Sequence, residues 1–323
     1  MKHSSLVSII IPNYNYARYL RERMDSVLNQ TFRDFEVIIL DDASTDESLQ
    51  IIEEYREHPL VTNIVLNKEN SGSPFKQWQK GVAMAHGKYI WIAEADDVAE
   101  LNFLERTVML AEQYPDTSIC HVGFKIIDSN SCVIKKDSNE WRKRCVKGYA
   151  SFDGVDYAKH NLYWGTCIRN ASGALFCREY AIGLIDSMFS TLRYAGDWLF
   201  WFEMSMQGRV IEVYENLNYF RNHGISVTDL GKKEGKGLKE DILVVKYMED
   251  RLKDISLYKR IIRNSFFYKR IKRMKANDSV KEELFCYLKE MLNVGKNEFL
   301  IERINKYLSS ICPYALTKER DRL

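Results

Sequence analysis

Phe35-Glu36-Val37-Ile38-Ile39-Leu40-Asp41-Asp42-Ala43-Ser44-Thr45-Asp46-Glu47 reads as a buried β-strand running straight into an acidic turn. Ser44 followed by Glu47 three residues later predicts a capping box that opens the next helix. A second stretch repeats the plan: Tyr89 to Ala93 is strand-like and ends in Glu94-Ala95-Asp96-Asp97. Between and before them, Val7 to Ile11 is a near-continuous apolar run, as a strand buried on both faces requires. Leu20, Met24, Val27 and Leu28 recur at helical spacing, Val61 to Leu66 is strand-like and Phe75 to His86 is helical. This alternation predicts βαβ units and a mainly parallel sheet. Two acidic clusters then fall at the carboxyl ends of strands of one sheet, where open α/β folds bind ligands.

Farther along, Ser118 to Asp128 predicts a strand, and Val155 to Leu162 and Tyr180 to Met188 predict helices around the polar turn Asn170 to Gly173. Asp197 to Gln207 predicts a helix, followed by two short strands, Val210 to Val213 and Asn218 to Asn222. Beyond the Gly- and Lys-rich loop 230–237 the pattern is helical throughout. The expected organisation is one large α/β domain over 1–230, then a helical extension over 237–323.

The composition, 46% hydrophobic and 28% charged over 323 residues, is that of a globular chain able to build a sizeable core. No apolar run reaches the roughly 20 residues of a membrane-spanning helix. No signal peptide is apparent, because Pro12 and Asn13 cut the first apolar stretch. The expected location is therefore cytoplasmic. The seven cysteines are scattered and include no CxxC pair, which suggests neither a disulfide framework nor zinc. Net charge is +2, but residues 251–275 alone carry +9, which leaves the first 250 residues at −7. An acidic body argues against nucleic acid as a partner.

Clustered carboxylates repel unless a cation sits among them. Mg²⁺ favours one or two carboxylates plus phosphate oxygens, so Glu94, Asp96 and Asp97 fit a metal–diphosphate site. An acidic turn that merely opens a helix in solvent is the bland alternative, and it applies to Asp41 and Asp42 as well.

Val7-Ser8-Ile9-Ile10-Ile11-Pro12-Asn13-Tyr14-Asn15, Ser26-Val27-Leu28-Asn29-Gln30-Thr31-Phe32, Glu36 to Asp46 and Gly87 to Asp97, at this spacing, resemble the opening of family 2 inverting glycosyltransferases of the GT-A fold. The resemblance implies a Rossmann-like α/β fold with a mainly parallel central sheet flanked by helices, and a catalytic domain over 1–230 with a nucleotide-binding half to about residue 115 and an acceptor half over about 116–230. It implies a nucleotide-diphosphate sugar donor, UDP-sugar foremost, and Mg²⁺ or Mn²⁺ as cofactor. Pro12, Asn13 and Asn15 would line the nucleoside pocket, and Asp41 would accept from the base. Asp96 would hold the ribose and Asp97 the metal, an assignment the sequence leaves exchangeable. Glu94 stands where the family commonly has Asp, with a longer arm toward the metal. The family's Arg-Asn pair has its nearest match in Lys76-Gln77-Trp78-Gln79, so Lys76 would meet the diphosphate as a point charge.

Gly196-Asp197-Trp198 and the later Arg221-Asn222-His223-Gly224-Ile225-Ser226 resemble the family's general-base segment and its trailing motif. Asp197 would be the base, against the alternative of a helix N-cap. His223 would reach phosphate or metal, against a structural role; Arg221 would pair with diphosphate or with a surface acid. Trp198 and Ser172 are the candidates for the acceptor cleft. The implied acceptor is a glycan, in particular a lipid-linked glycan of cell-surface polysaccharide synthesis. Residues 255–275, apolar positions interleaved with Lys and Arg, would either meet anionic lipid at the inner face of the membrane or pack as a helix with a solvated basic face. A degenerate relative that binds nucleotide sugar without turnover is the main rival. A dehydrogenase is disfavoured because no GxGxxG follows the first strand.

Overall fold

The computed structural model describes residues 5–135, 148–223 and 235–311. They fall into two compact units, one of residues 1–157 and 168–224, the other of residues 158–167 and 225–323.

In the first unit, β1 (Val7–Asn13) and β2 (Phe35–Asp41) are buried at every position. That burial explains their continuous Val and Ile runs, since helices cover both faces of a parallel sheet. Helix α1 (Ala17–Leu28) follows β1, and α2 (Ser48–Glu54) follows β2. Next come β3 (Val61–Leu66), α3 (Pro74–Met84), β4 (Tyr89–Ile92), β5 (Val98–Ala99) and α4 (Phe103–Gln113). The second half adds β6 (Thr117–Ile127), β7 (Val133–Lys135), β8 (Tyr149–Phe152), α5 (Gly154–His160), β9 (Ala174–Cys177), α6 (Arg178–Ile182), α7 (Gly196–Ser205) and β10 (Arg209–Arg221).

The sheet runs β3-β2-β1-β4-β9-β6-β10-β5. Strands β3, β2, β1 and β4 are mutually parallel, β9 is antiparallel to both β4 and β6, and β10 is again parallel to β6. The chain steps from β1 outward through β2 to β3, then returns to the other side of β1 as β4. That reversal puts a crevice at the carboxyl ends of β1, β2 and β4. Ile9, Ile11, Val37, Ile39 and Trp91 of the sheet pack with Leu20, Met24 and Val27 of α1 in one core.

Two local expectations are corrected. Ser44 does not cap a helix: α2 begins at Ser48 with Glu47 at its N-cap, because the Ser44 hydroxyl is taken by Asp41. The two short strands expected over 210–222 are one strand, β10, with register shifts at 213–218 where its polar middle bulges.

The second unit contains α8 (Lys236–Arg251), α9 (Leu257–Arg273), α10 (Asp278–Leu292) and α11 (Lys296–Ile311). Residues 158–167 join it through Tyr163, whose hydroxyl donates to Glu249 at 2.7 Å and whose carbonyl accepts from the buried Arg263 at 2.7 Å.

Candidate active site

The ends of β1 and β2 form one interlocked corner. Asn13 donates to the Asp41 carboxylate at 2.8 Å and to Ser44 Oγ at 3.1 Å. Ser44 donates to Asp41 through its hydroxyl at 2.6 Å and its backbone N–H at 2.9 Å. Asp41 is 0% exposed, so this expected partner of the base is the hub of the corner, with its oxygens already engaged. Because a carboxylate demands the N–H side of the Asn13 amide, Asn13 Oδ1 is turned away, buried and without a partner. Asn15 closes the corner by accepting from Thr45 N–H at 2.7 Å. Asn15 and Ala43 both adopt left-handed backbone, with φ of 59° and 62°. The alanine gains no local side-chain hydrogen bond from it and costs about 1 kcal/mol. Pro12 is buried in β1. Asp42 accepts from Asn67, from Ser71 twice and from Gln77, which fastens the 67–73 loop to the first turn of α3. Exposed on that turn, Lys76 donates to Ser71 O at 3.0 Å.

Past β4, the acidic turn is held from behind. Ser172 Oγ donates to Asp97 at 2.7 Å and accepts from Glu94 N–H at 3.1 Å. Ser172 is 0% exposed, so rather than bordering an acceptor cleft as expected it buttresses the turn. Arg221 donates from its backbone N–H to Asp97 at 2.9 Å and from Nε to Asp96 O at 2.6 Å. Nη1 reaches Asp128 O and Ser131 and Nη2 reaches Glu22, so the side chain, 0% exposed, is committed to the protein rather than presented to a diphosphate. Arg23 donates from Nε to Glu94 O at 2.8 Å. Glu94, which stands where the family commonly has Asp, is joined to the stretch that replaces the Arg-Asn pair: Trp78 Nε1 donates to Glu94 Oε1 at 2.8 Å.

The expected metal trio Glu94, Asp97 and His223 is not assembled as one ligand set. Among the described residues, no group of three or more His, Cys, Asp and Glu side chains is arranged to hold an ion. What the structure brings together is Asp96 Oδ2 and His223 Nε2, 3.1 Å apart. Neighbouring ligands of an octahedral ion with bonds of about 2.1 Å lie about 3.0 Å from each other, so this pair fits two adjacent positions and leaves the rest to phosphate and water. The Tyr19 ring stacks on His223 with centroids 6.2 Å apart, and the Tyr16 ring lies tilted against it at 5.6 Å.

Burial and mutual repulsion perturb the carboxyls of the turn. Burial, then the neighbouring Asp96, raise the Glu94 carboxyl to about 8. The same two causes raise Asp97 to about 6. His223 is raised by its bond to Asp96. For both carboxyls the folded protein holds protons that the unfolded chain has already released, so their contribution to stability is present at low pH and lost as pH rises through the folded values. The metal-free protein is expected to melt at progressively lower temperature from about pH 5 to about pH 8, and added Mn²⁺ to restore more of the loss the higher the pH. Scanning calorimetry across that range checks this; a melting temperature that rises with pH and ignores Mn²⁺ would contradict it.

Asp197 lies in the first turn of α7, half-buried, with Ala195 rather than Asp197 at the N-cap. At that end of the helix the backbone dipole favours an anion. Trp198 is 5% exposed and gives little ring face to solvent. Helix α7 is set against α3 by Phe200 and Trp201, whose rings pack on Trp78, the residue that fixes Glu94. Gly196 makes this approach possible: a Cβ there would meet Phe189 O and the Phe75 ring, each at 2.5 Å. Gly196→Ala should therefore push the start of α7 away, costing about 1–3 kcal/mol of stability. Urea unfolding reads the cost, and an unchanged midpoint would refute the tight contact.

Arg23 is the site residue that the sequence reading passed over. It sits three residues after Leu20 and four before Val27, so the apolar stripe that predicts α1 also points this charge inward.

The sequence profile of glycosyl transferase family 2 matches residues 8–183. A glycosyltransferase of Nostoc, itself uncharacterized, is 31% identical over 222 residues, 68% of this chain and 65% of the relative, so the match spans less than two thirds of that protein. Among solved structures, S. aureus TarS 1–349 in complex with UDP-GlcNAc aligns with a TM-score of 0.60 at 15% identity, covering 93% of this chain and 91% of that one. A mannosyltransferase of Pyrobaculum calidifontis, in complex with GDP-Man and Mn²⁺, aligns with a TM-score of 0.55 at 15% identity over 97% of this chain and 83% of that one. At such identities these two likenesses are ones of fold, and the fold is GT-A.

Proposed function

This chain belongs to glycosyl transferase family 2, and from that premise we propose that it transfers a sugar, with inversion, from a nucleotide-diphosphate donor, UDP-sugar foremost, to an acceptor hydroxyl. The observation that carries the reading is the facing of Asp96 and His223 at the end of β4, beside the nucleotide corner of β1 and β2. Asn13 Oδ1, a buried acceptor lacking a partner, receives an N–H of the base. Lys76, exposed on the first turn of α3, meets the diphosphate. Asp96 and His223 hold Mg²⁺ or Mn²⁺, while Asp97 fixes the turn from within. When bound, the ion neutralises charge on the departing diphosphate. Asp197 takes the proton from the acceptor hydroxyl as its oxygen bonds to the anomeric carbon and the bond to the diphosphate breaks. Thermal-shift screening of nucleotide sugars tests the donor: a UDP-sugar should raise the melting temperature only with Mn²⁺ or Mg²⁺ present. Stabilisation by no nucleotide sugar under any metal condition would overturn the reading.

The acceptor in this reading is a glycan carried on lipid, reached at the inner face of the membrane. No helix among the described residues is long and apolar enough to cross a bilayer. Support comes from α9, where Tyr258, Ile262 and Phe266 lie along one stripe that continues into Lys269 and Arg273. Tyr258 is 44% and Phe266 39% exposed, an amphipathic pattern suited to anionic headgroups. Flotation with phosphatidylglycerol vesicles at low salt should carry the protein upward; failure to float removes the membrane part alone.

A further inference from the structure

Two arginines are buried beneath the acidic turn, and they differ in one respect. Arg221 places its Nε, Nη1 and Nη2 groups on acceptors. Arg23 is 0% exposed, yet only Nε is bonded, to Glu94 O; Nη1 and Nη2 are buried without a partner. Its guanidinium carbon lies 5.6 Å from the centre of the Trp91 ring. Burying a guanidinium with unpaired N–H groups is costly, and an apolar side chain of similar volume on this stripe of α1 would be the cheaper filling. The compensation comes from the carboxyl groups of Glu94, Asp96 and Asp97, whose charges act on this guanidinium and which repel one another unless positive charge is near.

We propose that Arg23 is a positioning residue that serves as a permanent cation in the floor of the acidic turn, keeping the turn assembled before a dication arrives and holding down its affinity for that ion. The diphosphate of the donor is then needed to retain the metal, so that ion and nucleotide enter and leave together. This rests on the reading that Asp96 and His223 take a dication.

The test is Mn²⁺ binding by the full chain, read from free-ion electron paramagnetic resonance with and without UDP. Arg23→Met and Arg23→Gln, each without the charge, should bind Mn²⁺ roughly fivefold or more tightly when no nucleotide is present. The further tightening that UDP brings should shrink in both. Arg23→Lys, which keeps the charge, should stay near the wild-type value. Circular dichroism identifies which variants are folded, and Gln serves if Met fails to fold. An unchanged or weaker Mn²⁺ affinity in a folded uncharged variant overturns the proposal and leaves the metal reading standing. A wild-type protein that binds no Mn²⁺ even with UDP present removes both.

Discussion

Asp197→Asn is expected to reduce transfer to the acceptor by about 10² to 10⁴, because the amide keeps the shape of the side chain and cannot take a proton. The same variant should bind donor and melt as the wild type does. A base acts only while the acceptor hydroxyl attacks, so its loss appears in kcat/KM without a matching change in donor affinity. The competing account, an acid retained to favour the helix, is testable in the same protein: the N-cap is Ala195, Asp197 Oδ1 accepts from Trp198 N–H at 2.7 Å, and an acid in this first turn gains about 0.3–1 kcal/mol from the helix dipole. Steady-state assays alongside thermal melts separate the two. Full turnover in Asp197→Asn would remove the base assignment, whereas a wild type that binds donor and transfers nothing would favour the binding protein.

The second large effect concerns the two neighbouring carboxylates that the sequence could not tell apart. Asp96→Asn is expected to weaken Mn²⁺ binding by more than about a hundredfold, since even residues one shell out from a metal typically contribute 10- to 100-fold. Asp97→Asn should behave differently. Its oxygens accept from Ser172 Oγ and from Arg221 N–H, so the substitution strikes the support of the turn and costs about 1–3 kcal/mol of stability, with the smaller effect on metal affinity. Calorimetric Mn²⁺ titrations and chemical unfolding of both variants give four numbers. An equal loss of metal affinity in the two would return the role to Asp97.

Much of the fold was legible because its central strands are buried on both faces, and Val7 to Ile11 and Val37 to Leu40 carry that burial as unbroken apolar runs. The acidic ends of β2 and β4 were legible for the same reason, since polar residues stop a buried strand at the sheet's edge. What escaped the sequence is what depends on long-range partners. Ser44 and Glu47 have capping-box spacing, but only the fold brings Asn13 to Asp41 and recruits the Ser44 hydroxyl to them. Ser172 lies 75 residues from Asp97 along the chain, and nothing near it in sequence announces that bond. Arg221 reads as a partner for diphosphate or for a surface acid until β10 is threaded beside β6, after which Asp128, Ser131 and Glu22 surround it. Arg23 alone left a local sign, a charge on an apolar stripe. The gap between 213 and 218 hid the continuity of β10, because Tyr214 to Asn216 break the alternation where the strand bulges.

A single dication, held by Asp96 and His223 against the donor's diphosphate, is the centre of the proposed chemistry. Electron–nuclear double resonance of the Mn²⁺–UDP complex tests it most directly, by reading the nuclei bonded to the ion. The wild type should show phosphorus couplings from UDP together with an imidazole nitrogen coupling, and His223→Ala should lose the nitrogen while keeping the phosphorus. Phosphorus couplings without any histidine nitrogen in the wild type would contradict the arrangement proposed.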